Sequence, residues 1–285
     1  MSPGAFGSGT FGPGAFGPGA FEPGAFGTEP NLSSAGEAPA LVAVAHGSRD
    51  PRSARTVHAL LDVVRAQRPD LDVRTAFLDL SAPRVGDVLA SVHADGHQQA
   101  VLVPLLLGSA FHARVDVPAT VTEAAQRFPK LRVHTADVLG PDHRLDAAAW
   151  RRLAETGADA EDSGLGVVLA GVGSAHAPAN RLVAQVAERR AERTSWAGAR
   201  AAFATAADPD VPTAVADLHA RGARRIAVAF WFLAPGLLTD RVVTSAREHA
   251  RDPLIAEPMA DAPEVAELVL ARYAEALRPS GAATA

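Results

Sequence analysis

From Leu41 onward, apolar residues come in short unbroken runs, and the polar stretches between them carry apolar positions at helical spacing. Leu41–Ala45 (LVAVA) predicts a short buried strand, and Asp72–Leu78 predicts a second. Ala100–Leu107 (AVLVPLLL) has no polar face, so it predicts a strand covered on both sides. Leu131–Asp137 predicts a fourth. Helices are expected between them over 51–67, 83–94, 116–127 and 143–154. Asp50 stands where a first N-cap belongs, with Pro51 at the first helical position. Pro118 falls in the first turn of the third helix, and Gly96 stops the second. Four β-α units in succession predict a parallel sheet with helices on both faces.

The pattern then runs again. At an offset of 126 residues, Gly47 meets Gly173, Pro83 meets Pro209, His93 meets His219 and Gly96 meets Gly222; Leu107 meets Leu233 and Val117 meets Val243. Glycines and prolines weigh most here, because they fix turns. One offset over most of a domain predicts a duplication: half one at 40–158, half two at 164–278, and a polar, glycine-flanked linker at 157–164. The expected fold is two tandem, doubly wound, flavodoxin- or Rossmann-like parallel-sheet domains.

Residues 1–39 belong to neither half. Phe6, Phe11, Phe16, Phe21 and Phe26 recur every five residues in a Pro-Gly-Ala-Phe-Gly setting. Collagen needs glycine at every third position, and folding repeats are longer, so this segment reads as a disordered low-complexity tail, with a self-associating arm as the alternative. Residues 279–285 read as a short second tail. The chain of 285 residues has no cysteine, which excludes disulfides, thiolate metal sites and cysteine nucleophiles. Its net charge is −5, and neither a nucleic-acid nor an anionic-membrane surface is implied. No apolar run is long enough to span a bilayer and no secretion signal is evident, so the cytoplasm is the default compartment.

Duplication supplies an internal control, because residues required by the fold should recur. Half one reads Ala45-His46-Gly47-Ser48-Arg49-Asp50 after its first strand, and half two reads Gly171-Val172-Gly173-Ser174-Ala175-His176. The Gly-Ser turn recurs; the histidine does not. After the third strand of half one comes Gly108-Ser109-Ala110-Phe111-His112-Ala113-Arg114-Val115-Asp116. At the same offset Leu238, Asp240 and Val242 replace His112, Arg114 and Asp116. His93 and His219 both end a helix and read as structural. In the strand order 2-1-3-4, ligands bind where the order reverses, between the first and third strands. Those are the strands that lead to His46 and His112, so two imidazoles able to ligate a divalent metal and accept protons are expected at one crevice. Ser48 is open to a turn role, and Asp116 to an N-cap role. Asp79, at the end of the second strand, is a weaker candidate. Leu106, Leu107, Phe111, Trp231, Phe232 and Leu233 read mainly as core.

The motifs His46-Gly47-Ser48-Arg49 and Gly108-(x)3-His112-(x)3-Asp116-Val117-Pro118, with Phe77-Leu78-Asp79-Leu80-Ser81-Ala82-Pro83 between them, resemble the sirohydrochlorin chelatases, the ATP-independent class II tetrapyrrole chelatases, in their long tandem form. The resemblance covers most of 41–275. It implies a chelatase-type fold and insertion of Fe²⁺ or Co²⁺ into sirohydrochlorin, with iron preferred, on the routes to sirohaem or cobalamin. His46 and His112 would bind the metal and take up pyrrole protons, and Asp116 would be a further metal partner. Ser48, Arg49 and Arg114 would hold the carboxylates of the macrocycle. No tightly bound cofactor is implied: the divalent metal is a substrate. The partner is sirohydrochlorin, with neither nucleic acid nor membrane, and a monomer is favoured because a tandem chain can build its own cleft. Half two, without the histidines, would form the opposing wall. The alternatives are a tetrapyrrole or metal carrier of the same fold, a zinc hydrolase, and a ferrochelatase acting on protoporphyrin.

Overall fold

A computed structural model describes residues 38–108, 122–123, 126–205, 207–259 and 261–278. Half one contains β1 (Ala40–Ala45), α1 (Pro51–Gln67), β2 (Val73–Phe77), α2 (Val85–Ala94), β3 (Gln99–Pro104), β4 (Arg132–Thr135) and α3 (His143–Ala154). Half two contains β5 (Leu165–Gly171), α4 (Ala177–Ala191), β6 (Gly198–Phe203), α5 (Val211–Ala220), β7 (Arg225–Phe230), α6 (Leu237–His249), β8 (Leu254–Ile255) and α7 (Pro263–Ala276). Each half is a four-stranded parallel sheet, ordered β2-β1-β3-β4 and β6-β5-β7-β8. This is the expected order, with its reversal between the first and third strands of each sheet. Among the described residues, no helix is long and apolar enough to cross a membrane.

The local signals act as read. Asp50 caps α1, its carboxylate accepting from the backbone N–H of Arg52, and Pro51 begins the helix. The side chains of Ala100–Val103 are fully buried, as a strand covered on both faces requires. The second helix starts at Val85 rather than at 83. The Pro83 carbonyl accepts from Phe77 N–H at 2.9 Å, which keeps residues 80–84 looped back on the strand end. Helix 116–127 and the tails at 1–39 and 279–285 lie largely outside the described residues.

The repeat is corrected in one respect. The ladders keep the offset of 126 through the third strand: Ala40 pairs with Ala100 as Gly166 pairs with Ile226. Leu105 N–H donates to Val44 O as Trp231 N–H donates to Ala170 O. Further on, Val101 pairs with His134 while Ala227 pairs with Leu254, an offset of only 120 for the fourth strands. Leu139 N–H donates to Leu106 O, and Met259 N–H to Phe232 O, which places the change after Leu106 and Phe232. Half one is therefore six residues longer between its third and fourth strands. His112, Arg114 and Asp116 fall in that stretch. Their equivalence with Leu238, Asp240 and Val242 rested on a spacing that the ladders do not keep there.

The halves do not stand apart. α7 of half two packs on α1 and β3 of half one, α3 of half one packs on β7 of half two, and α3 packs along α7. One continuous apolar core runs from Leu41, Val101 and Trp150 through Leu169 and Trp196 to Val265 and Tyr273. Trp150 and Trp196 meet edge to face at 6.1 Å, and the Arg190 guanidinium lies 5.8 and 5.7 Å from their ring centres. Tyr273 donates its hydroxyl to Pro39 O at 2.7 Å, tying the last helix to the residue before β1.

Candidate active site

The loop after β1 begins at His46, whose side chain is exposed at the carboxyl end of a central strand. Gly47 makes the turn possible. Its φ is +92°, and a Cβ there would lie 1.7 Å from the Asp79 carbonyl oxygen. Gly173 is the same device in half two, with φ +90° and a virtual Cβ 1.9 Å from Thr205 O. Ser48 ties the loop down: its N–H donates to Ser81 Oγ, its carbonyl accepts from that hydroxyl, and its own Oγ accepts from Asp50 N–H at 3.0 Å. Ser174 Oγ accepts from His176 N–H in the same way. The Gly-Ser turn is therefore architecture common to both halves, and the Ser48 hydroxyl is engaged in it.

The β2 loop completes this corner. Asp79 N–H donates to His46 O at 2.9 Å. The Asp79 carboxyl sits below its ordinary pKa because Leu80 N–H and the Arg84 guanidinium donate to it, with a further contribution from the nearby His46. The carboxylate thus stays ionised near the imidazole. Position in sequence gave little reason to rank Asp79 high. Its value comes from Gly47, which lets the two loops touch. Leu80 follows with φ +60°, an uncommon conformation for a large side chain, and it is 43% exposed. Val172 at the end of β5 and Leu237 at the start of α6 are also exposed. These three apolar side chains all stand at carboxyl ends of strands, where ligands enter this kind of sheet.

Of the other residues expected here, Arg49 is exposed on the His46 loop. His112, Arg114, Asp116 and Phe111 lie outside the described residues. Among the described residues, no group of three histidine, aspartate or glutamate side chains is placed to hold a metal. Trp231 and Phe232 belong to the core, and Leu107 and Leu233 pack against it. His97 is buried and paired with Asp72 at 3.0 Å, and His219 Nδ1 lies 2.8 Å from the Ala223 carbonyl just past its helix.

Comparisons with known proteins bear on this arrangement. The family model described as CbiX matches the chain twice, at residues 40–156 and 166–276. The sirohydrochlorin cobaltochelatase of Priestia megaterium is 25% identical over 214 residues, 72% of this chain and 68% of that protein. The sirohydrochlorin ferrochelatase of Bacillus subtilis is 26% identical over 203 residues, 71% of this chain and 77% of that protein. The structure of SirB from Bacillus subtilis with Fe³⁺ superposes with a TM-score of 0.71 at 25% identity, covering 84% of this chain and 95% of that one.

Proposed function

The chain belongs to the CbiX family, and from that premise we propose that it is a sirohydrochlorin chelatase, inserting divalent iron or cobalt into the macrocycle. The observation that carries the reading is the asymmetry at one corner of a duplicated fold. Half one sets an exposed His46 beside the ionised Asp79 where half two has Val172 and Thr205. Half two also has no histidine between His219 and His249, so the loop after β7 carries none.

Insertion exchanges two pyrrole N–H protons for one M²⁺. It needs a base at the macrocycle centre and a ligand set weak enough to release the ion. In this reading His46 and His112 hold the incoming metal and accept the protons, with Asp116 as a further metal partner. Asp79 places an ionised carboxylate beside His46 at this corner. Ser48 keeps the His46 loop rigid, and Arg49 and Arg114 face substrate carboxylates. Leu80, Val172 and Leu237 supply apolar contact for the ring, two of the three from half two. The metal is a substrate, and relatives named for iron and for cobalt match at nearly equal identity, so the reading covers both ions. One site per chain, built within the core that joins the halves, completes it, with a monomer and a cytoplasmic setting as further parts of the proposal. The domain limits 40–158 and 164–278 belong to the same proposal.

The test is anaerobic. Sirohydrochlorin, Co²⁺ or Fe²⁺ and catalytic amounts of protein are followed by visible absorbance. Turnover above the spontaneous rate is expected, falling on the order of 100-fold or more in His46→Ala and His112→Ala, and less in Asp79→Asn. Tetrapyrrole binding without acceleration would leave a carrier, and full activity of both histidine variants would overturn the assignment of roles.

A further inference from the structure

The guanidinium of Arg52 has two hydrogen-bonding edges, and the protein uses them differently. One edge, Nε and Nη2, grips the Asp50 carboxylate at 3.0–3.1 and 2.5 Å. Asp50 is only 11% exposed, caps α1, and hangs from the Ser48 turn that carries His46. The other edge, Nη1 and Nη2, reaches across to half two and holds Asp240 in the first turn of α6 at 3.1 and 2.5 Å. Asp240 is 50% exposed. Both first turns follow carboxyl ends of strands, so this pair spans the side on which the two sheets present their loops.

Helix capping does not demand the arrangement. In half two the equivalent positions are His176 and Pro178, and α4 begins there with no side-chain cap. The same fork recurs as Asp142–Arg144 at the cap of α3, so what sets Arg52 apart is its second edge, held by Asp240. An ion pair as exposed as Arg52–Asp240 is screened by water and salt and adds little to stability. Its partner can therefore be exchanged at little cost, while the inner edge keeps the fork aimed.

We propose that Arg52 is a substrate-binding residue of exchangeable type: its outer edge is held by Asp240 in the free protein and passes to a carboxylate of the macrocycle when substrate enters. The inference rests on the chelatase reading and adds to it a named carboxylate-binding site and its internal competitor. Asp240 thereby becomes a stand-in for the ligand, and its removal should strengthen binding rather than weaken it.

The experiment uses the full chain with metal-free sirohydrochlorin. The dissociation constant is read from quenching of tetrapyrrole fluorescence, and KM and kcat from Co²⁺ insertion. Arg52→Gln should raise the dissociation constant and KM about tenfold, the loss of one bidentate charged contact, with most of the fall in kcat/KM carried by KM. Arg52→Lys should rescue little of it, because an ammonium cannot make the fork contact. Asp240→Asn, which leaves the α1 cap intact, should lower the dissociation constant several-fold, and should have no such effect when added to Arg52→Gln. Weaker or unchanged binding in Asp240→Asn would overturn the proposal and make the pair a simple tie between the halves. Absence of turnover in the wild-type protein would defeat the chelatase reading alone, since the fluorescence titration still reports on Arg52.

Discussion

Gly47 and Gly173 make the same demand on the backbone, but only one of them stands at a histidine. An alanine at either position must hold a positive φ and meet a carbonyl oxygen closer than 2 Å. Each substitution should cost at least about 2 kcal/mol, measurable as a shift in denaturant midpoint. The effects on activity should diverge. Gly47→Ala pushes the Asp79 loop from His46 and should abolish most turnover, whereas Gly173→Ala should keep most of it in the folded fraction. Equal loss of activity in both would mean that the glycine turn serves stability alone. His46, the Gly-Ser turn and their contrast with Val172 were all legible from the two halves laid side by side. The meeting of Asp79, read only as a weaker candidate, with His46 was not, because the two are 33 positions apart. Arg52 was not either: nothing near it in sequence indicates a bond to Asp240, 188 residues later.

At the scale of the element, α3 shows what a cap does beyond ending a helix. Asp142 accepts from Arg144 N–H at 3.0 Å and from the Arg144 guanidinium, and Arg272 of α7 lies 3.6 Å away. Chiefly through Arg144, its pKa is held at about 2 rather than 3.8. A carboxyl depressed in the folded state stabilises above its unfolded pKa and loses that contribution as pH falls through the folded value. Asp142→Ala should therefore lower stability by about 1–2 kcal/mol at neutral pH. The gap between variant and wild type should narrow between pH 4 and pH 2. Denaturation midpoints across that range test this, and a constant gap would exclude the carboxylate as the cause. The cap at Asp50 and the bounds of α1 and α3 follow from local residues, which is why the sequence pattern placed them closely. The start of α2 did not, since Pro83 is held by a bond from Phe77.

For the whole molecule, two repeats in sequence became one core in space. Because α7 covers α1 and β3, a chain ending at residue 163 would leave that face bare. Such a fragment should lack cooperative thermal unfolding and bind a hydrophobic dye; a sharp two-state transition as a monomer would contradict it. Trp150 would lose Trp196 and the Arg190 stack at the same time.

The apolar pattern and the offset of 126 were enough for the element order, the parallel sheets and the duplicated turn. These depend on contacts within one β-α unit or on the repetition of one. Tertiary structure alone decided three further matters: which half each last helix covers, the meeting of Asp79 with His46, and the reach of Arg52 to Asp240. Periodicity reports that a face is buried, not what buries it. An alternating run of strands and helices is satisfied equally by packing on its own sheet or on the other one. The choice falls to the summed packing of the whole core, which no single segment encodes.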